Sequence, residues 1–225
     1  MNIPKLFIFD MDGTMFDTEP ISYASWRMIC REYGYELTEE LFRSVIGMDN
    51  RRIAAVFCQY FGEAFPYEEI RKKKVVHQLQ FYKEHAIPVK SGLKELLAYA
   101  RQCRSACAVA SSSPKSQIRF LLEKTGLASY FSVVQSGEDV AHGKPAPDIF
   151  LEACRQAGVK PEQALVLEDS RNGLLAAHAA RISSVFIPDI APVSDDIAAL
   201  AWKRCQTLAD VPALLRAEER AVKEA

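Results

Sequence analysis

Leu6-Phe7-Ile8-Phe9-Asp10-Met11-Asp12-Gly13-Thr14 opens on an unbroken apolar run and stops abruptly at two acids and a glycine. A short continuous apolar run bounded by turn chemistry is the pattern of a strand buried on both faces, which belongs in a parallel sheet covered by helices. Beyond it the rhythm changes. Trp26, Met28, Ile29 and Tyr33, then Leu41, Phe42, Val45 and Ile46, then Ile53, Val56, Phe57, Tyr60 and Phe61 recur at three- and four-residue spacing. That periodicity predicts successive helices from Ile21 to about Glu84 with no strand between them, and Pro66 separates one helix from the next at Tyr67.

After Pro88 strands and helices alternate. Helices are expected at Leu93 to Tyr99, Lys115 to Thr125, Pro147 to Ala157 and Leu174 to Ala180, the second and third stopping at Gly126 and Gly158. Strands are expected at Ala106 to Ala110, Val133-Val134, Ala164 to Leu167 and Ser184 to Ile187. The alternation predicts an α/β fold: a Rossmann-like parallel-sheet core with helices on both faces, interrupted after its first strand by an all-helical domain. The boundaries follow as residues 1–17 and 89–225 for the core and 18–88 for the insertion.

A chain of 225 residues has room for two unequal domains of this kind. Its 28 Lys and Arg against 29 Asp and Glu leave a net charge of −1, without the basic excess that nucleic-acid binding needs. No stretch approaches the roughly 18 apolar residues of a membrane span, and the first apolar run is too short for a signal peptide. The six cysteines are scattered without a C-x-x-C pair, so reduced thiols are expected rather than a disulfide framework. The expectation is a cytoplasmic monomer with no nucleic-acid or membrane partner. The Arg71-Lys72-Lys73-Lys74 run follows Glu68 and Glu69 within a helical pattern and reads as a solvated helix face. The tail from Ala217, with Glu218, Glu219 and Arg220, has few apolar anchors and is expected to fray.

Chemistry gathers where the predicted strands end, which is where open α/β sheets place ligands. Asp10 and Asp12 follow the first strand, Ser111, Ser112 and Ser113 the second, and Glu168, Asp169 and Ser170 the fourth, with Gly143-Lys144-Pro145 lying between. Each cluster has an ordinary structural explanation. Asp12-Gly13 makes a good turn, the serines and Glu168-Asp169-Ser170 can cap helices, and Lys144 alone is a surface lysine. Their joint order and shared position argue for a site. Four carboxylates in one crevice repel and need positive charge among them; oxygen-only ligands suit magnesium, with Lys144 as a second cation. Hydroxyls and backbone amides suit phosphate oxygens. The set is equipped for phosphoryl transfer.

The arrangement resembles the haloacid dehalogenase-like superfamily, in its phosphatase and phosphomutase group with a helical cap. The resemblance is carried by Asp10-Met11-Asp12-Gly13-Thr14 followed by Phe16-Asp17-Thr18-Glu19, by Val109-Ala110-Ser111, by Gly143-Lys144-Pro145-Ala146-Pro147 and by Glu168-Asp169-Ser170-Arg171-Asn172-Gly173. It implies that residues 18–88 form the cap, that Asp10 is a nucleophile forming an aspartyl-phosphate, and that Asp12 is the general acid and base. It also implies that Ser111 and Lys144 hold the phosphoryl group. Magnesium would be bound by Asp10, Asp169 and the Asp12 carbonyl, with Glu168 nearby or acting through water. Gly13, Thr14, Ser112, Thr18 and Arg51 are further candidates for phosphate or substrate contact, Arg51 within the Gly47-Met48-Asp49-Asn50-Arg51 loop. The family usually has Ala-Gly where this chain has Ala180-Arg181, a change that costs about 1 kcal/mol if that residue must be left-handed.

The implied activity is a magnesium-dependent phosphatase for a small phosphorylated metabolite, with sugar phosphates the leading class. A β-phosphoglucomutase-like mutase is the alternative within the group, but that enzyme's cap histidine falls at Ser22, and serine cannot do an imidazole's proton work. A dehalogenase lacks the second acid present here as Asp12. A cysteine phosphatase is excluded because no cysteine is followed six positions later by arginine. A catalytically silent binding protein on the same fold is the remaining alternative.

Overall fold

The computed structural model describes residues 3–48 and 50–224. Strand β1 (Leu6–Phe9) runs through the middle of a six-stranded sheet with β2 (Ala106–Ser111), β3 (Val133–Ser136), β4 (Ala164–Glu168), β5 (Ser183–Phe186) and β6 (Lys203–Arg204). The order is β3-β2-β1-β4-β5-β6 and every pairing is parallel. The direction of winding reverses between β1 and β4, so the crevice beyond their C-terminal ends is the expected ligand position.

Alternation along the strands divides the core into two apolar layers. Leu6 and Ile8 join Ala108, Ala110 and Val166 beneath α7 (Asp148–Ala157) and α8 (Arg171–Ala179). Phe7 and Phe9 join Val109, Leu165 and Leu167 beneath α5 (Leu93–Gln102), α6 (Lys115–Lys124) and α10 (Val211–Glu224). A strand buried on both sides has to be apolar at every position, which is why β1 shows no polar alternation.

Four helices lie between β1 and α5: α1 (Glu19–Glu32), α2 (Glu39–Val45), α3 (Asn50–Phe61) and α4 (Tyr67–Glu84). They have an apolar centre of their own, where the fully buried Phe57 ring meets Trp26 edge-on at 5.2 Å between centroids. Burying such a ring stabilises by about 2–3 kcal/mol. Two chain crossings tie this layer to the sheet: Asp17 N–H donates to the Pro88 carbonyl, and Lys90 N–H to that of Met15. Tyr82, near the end of α4, is buried in the sheet's own cluster.

Two expectations need correction, and two short elements come without an expectation. The segment expected to fray from Ala217 is helical to Glu224, because Val211 and Leu215 anchor α10 and Glu218 pairs with Lys203 at 3.1 Å. The two-residue β6 and the short α9 (Asp195–Ala198) had no apolar run to announce them. Within the basic run, Lys72 and Lys73 are exposed as expected, but Arg71 and Lys74 turn inward. No helix among the described residues is long and apolar enough to cross a membrane.

Candidate active site

The ends of β1, β2 and β4 open into one cleft roofed by α1, α4 and the turn between α2 and α3. Asp10, Asp12, Ser111, Ser112, Ser113, Lys144 and Asp169 line it from the sheet; Thr18, Glu19, Ser22, Trp26, Arg71, Lys74 and Gln78 line it from the helices. Segments far apart in sequence meet here because parallel strands deliver their following loops to the same edge.

Lys144 is the centre of the sheet side. Its ammonium is 2% exposed and has three N–H donors, which find Asp10 Oδ1 at 2.5 Å, Glu168 Oε1 at 2.7 Å and the Ala110 carbonyl at 3.1 Å. Burial opposes the lysine's charge, but Asp10 and Glu168 outweigh it and hold its pKa above the ordinary value. Burial pushes the Asp10 carboxyl up to about 8; Lys144 pulls it back, and Glu168 and Asp12 push it further up. Asp169 is raised well above the ordinary carboxylate range, first by burial and then by repulsion from Glu168 and Asp10. Glu168 is committed at both oxygens, since Oε2 accepts the Ser170 N–H at 2.7 Å.

Asp12 is held differently. Its Oδ1 accepts from Thr18 Oγ1 at 2.6 Å and its Oδ2 from Ser113 Oγ at 2.8 Å. Ser113 is itself fixed by its N–H donating to Ser111 Oγ at 3.0 Å and its carbonyl accepting from Ser136 Oγ at 2.7 Å.

Several candidates occupy other positions than expected. Gly13 and Thr14 are not among the cleft's lining: the Gly13 N–H donates to the Phe16 carbonyl and the Thr14 hydroxyl to Asp169 Oδ1 at 2.7 Å. Gly13 is nonetheless required where it is, since a Cβ there would come within 2.3 Å of Asp169 Oδ2. Arg51 lies exposed on α3 away from the lining, whereas Gly47, Met48, Asn50 and Ile53 reach the cleft. Asp49 of that loop lies outside the described residues. The loop is tied to the sheet side by the Asn172 side chain, which donates to the Gly47 carbonyl at 3.0 Å.

The helical wall carries charge of its own. Glu19 is 9% exposed, and burial, followed by repulsion from Asp12, pushes its carboxyl up to about 8 despite the pull of Lys74. Burial lowers Lys74 to about 8 against the attraction of Glu19 and Asp12. Residues 71, 74, 75 and 78 of α4 all reach the cleft. Their spacing is that of one helix face, so a helical projection of the basic run would have separated its inner pair from its outer pair.

The donor set suits a hard divalent cation. Asp10 and Asp169 present carboxylates to one space, and both are raised, first by burial and then by the charge of Glu168 beside them, an excess that Lys144 alone does not relieve. No group of three or more His, Cys, Asp or Glu among the described residues converges as a metal cage. Magnesium does not require one, because it binds through one or two carboxylates and completes its shell with water and phosphate.

The sequence model of a single family, Haloacid dehalogenase-like hydrolase, matches residues 7–187. The phosphorylated carbohydrates phosphatase of Thermotoga maritima is 31% identical over 80% of this chain and 82% of its own length. The fructose-1-phosphate phosphatase YqaB of Escherichia coli is 32% identical over 79% of this chain and 93% of its own. Among solved structures, CbbY of Rhodobacter sphaeroides in complex with phosphate superposes with a TM-score of 0.82 at 26% identity, covering 92% of this chain and 96% of that one. With its parallel sheet, its acids and lysine at one sheet edge and a family match across most of its length, the chain belongs to the haloacid dehalogenase-like hydrolases.

Proposed function

We propose that this protein is a magnesium-dependent phosphatase that hydrolyses a small sugar phosphate through an aspartyl-phosphate on Asp10. The observation that carries the reading is Lys144, buried and clasped between Asp10 and Glu168 at the floor of a cleft that also holds Asp12 and Asp169. Lys144 occupies Asp10 Oδ1, leaving Oδ2 as the attacking oxygen. As Oδ2 bonds to phosphorus, the bond to the leaving oxygen breaks, and Asp12 gives that oxygen its proton. Water then attacks the phosphorus, Asp12 takes a proton from it, and the bond to Asp10 breaks to release inorganic phosphate. Ser111 and Ser112 are placed to hold phosphoryl oxygens, and Lys144 offsets charge that builds on them.

Asp10 and Asp169 would hold magnesium, with the Asp12 carbonyl as a third oxygen. The ion would supply positive charge beside the phosphoryl group. Glu168, with both oxygens engaged, acts by holding Lys144 rather than as a direct ligand. Thr14 positions Asp169, and Thr18 positions Asp12. Residues 18–88 act as a cap domain over a core of residues 1–17 and 89–225, excluding water from the first transfer.

The sugar class rests on the names of the related phosphatases and on a cap wall of Glu19, Arg71, Lys74 and Gln78, groups that hydrogen-bond hydroxyls and anions. Ser22 supports hydrolysis over mutase chemistry, since it lines the cleft where the mutase histidine is expected. The six cysteines are free thiols, the state a reducing compartment such as the cytoplasm maintains. The test is release of inorganic phosphate from a panel of phosphate esters with magnesium. Sugar phosphates are expected to be the best substrates, and Asp10→Asn is expected to abolish turnover. An inactive wild-type protein, or an active Asp10→Asn, would remove the reading.

A further inference from the structure

Beyond Ser111 the chain leaves β2, and Ser112 and Ser113 belong to neither strand nor helix. The edge strand β3 holds them in place. Ser136 ends β3 opposite Ser111 in the parallel register, is fully buried and is not among the cleft's lining. Its hydroxyl donates to the Ser113 carbonyl at 2.7 Å and accepts the Glu138 N–H at 3.1 Å. Two further contacts bring the same stretch against the serines. A Cβ at Gly137 would lie 3.3 Å from Ser112 Cα, and Glu138 Oε2 accepts the Lys115 N–H at 3.2 Å.

The directions of these bonds follow from the groups involved. A backbone N–H only donates and a carbonyl only accepts, so the Ser136 hydroxyl has a single arrangement. Pro114 has no N–H, which leaves the Ser113 carbonyl as the only hydrogen-bonding group on the peptide joining the two. Ser136 fixes that peptide, and the Ser113 N–H, donating to Ser111 Oγ at 3.0 Å, fixes the one before it. With both backbone groups of Ser113 held, its side chain leaves in one direction, and the hydroxyl reaches Asp12 Oδ2 at 2.8 Å.

We infer that Ser136 is a positioning residue for Asp12: by holding the Ser113 backbone it aims the Ser113 hydroxyl at the carboxyl group that meets the leaving oxygen. The inference rests on the phosphatase reading, with Asp12 as acid and base. It goes beyond that reading in giving a buried residue of the edge strand, outside the cleft, a part in proton delivery. Misplacing a reacting group by about 1 Å can cost about a hundredfold in rate, so loss of this brace is readable in kinetics.

The test compares kcat/KM, which reports the steps up to phosphoryl transfer onto Asp10, for p-nitrophenyl phosphate and the best sugar phosphate of the panel. The nitrophenolate departs without protonation, whereas the sugar hydroxyl needs a proton delivered. Ser136→Ala is expected to lose about fivefold or more on the sugar phosphate and less than about twofold on p-nitrophenyl phosphate, because general-acid loss weighs on the poor leaving group. Ser113→Ala is expected to show the same selective loss. The double variant should change the ratio of the two esters no further than Ser113→Ala alone, because both residues act along one route. Thermal unfolding establishes that each variant is folded. If Ser136→Ala is not, Ser136→Cys, whose thiol fills the same space and donates only weakly, takes its place in the comparison. Equal slowing of the two esters, no slowing, or a ratio that falls again in the double variant overturns the inference while leaving the phosphatase reading intact. A wild-type protein that releases phosphate from no ester overturns both.

Discussion

Arg181 follows α8 with a φ of +56°, in the left-handed region where a Cβ crowds the backbone and glycine is at ease. Its N–H still donates to the His178 carbonyl and the next N–H to that of Ala177, so the helix end is closed in the ordinary way at a strained residue. The side chain is exposed and remote from the cleft. Relieving the strain gains about 1–2 kcal/mol, and glycine's greater freedom in the unfolded chain takes back roughly half of it. Arg181→Gly is therefore expected to stabilise by about 0.5–1 kcal/mol with kcat and KM unchanged. Urea denaturation reads this as a higher midpoint at constant slope; a lower midpoint would show that the arginine side chain earns its place by some contact of its own. Arg104, at φ +57°, is the same case at the turn after α5.

Helix α8 begins against the Lys144 clasp, and Gly173 in its first turn is what allows the approach. A Cβ at Gly173 would come to 1.6 Å from Glu168 Oε1 and 1.8 Å from its Cδ. Glu168 is fully buried and bonded at both oxygens, so it has nowhere to move. Two forces oppose each other in Gly173→Ala. Helix propensity favours alanine by about 1 kcal/mol, while breaking a buried ion pair costs about 3–5 kcal/mol. The contact wins: the variant is expected to unfold at lower urea and to lose at least about tenfold in kcat/KM, and a stabilised, fully active variant would mean that Glu168 is dispensable. The same element shows what was legible beforehand. Glu168, Asp169 and Ser170 stand together at a strand end and mark themselves, as Asp10 and Asp12 do after β1. Arg71, Lys74 and Gln78 do not, because a helix spreads one face over every third or fourth residue and hides it within a run of charge. Arg51 misled for the complementary reason, since its neighbours Asn50 and Ile53 take the cleft-facing positions on that turn of α3. The sheet was legible down to its apolar strands, whereas β6, two exposed basic residues at the edge, carries no apolar signal.

At the scale of the whole molecule, two layers meet across a cleft, and the helical layer brings its own titrating pair to it. Glu19 is pushed up to about 8, by burial and then by Asp12, with Asp189 and Asp10 adding to the effect. Lys74 is lowered to about 8, by burial first and by Arg71 last. Below that pH Glu19 is protonated and Lys74 charged, so the pair contributes one positive charge; above it Glu19 is ionised and Lys74 neutral, so the pair contributes one negative charge. A phosphate monoester is already fully ionised above about pH 7, its second pKa lying near 6, so the change belongs to the protein. The sign follows from linkage: an anionic ligand binds the more protonated form better, and its binding releases no advantage once those protons have gone. KM for a sugar phosphate is therefore expected to be lowest below about pH 8 and to rise by about tenfold between pH 7 and 9.5, a tenfold change being about 1.4 kcal/mol. Lys74→Met should raise KM at pH 7 and flatten the rise, and Glu19→Gln, which cannot ionise, should flatten it while keeping KM low at pH 7. A KM independent of pH in the wild-type protein, or a rise that survives both substitutions, would place the titrating group elsewhere and leave this wall of the cleft without a part in holding the substrate.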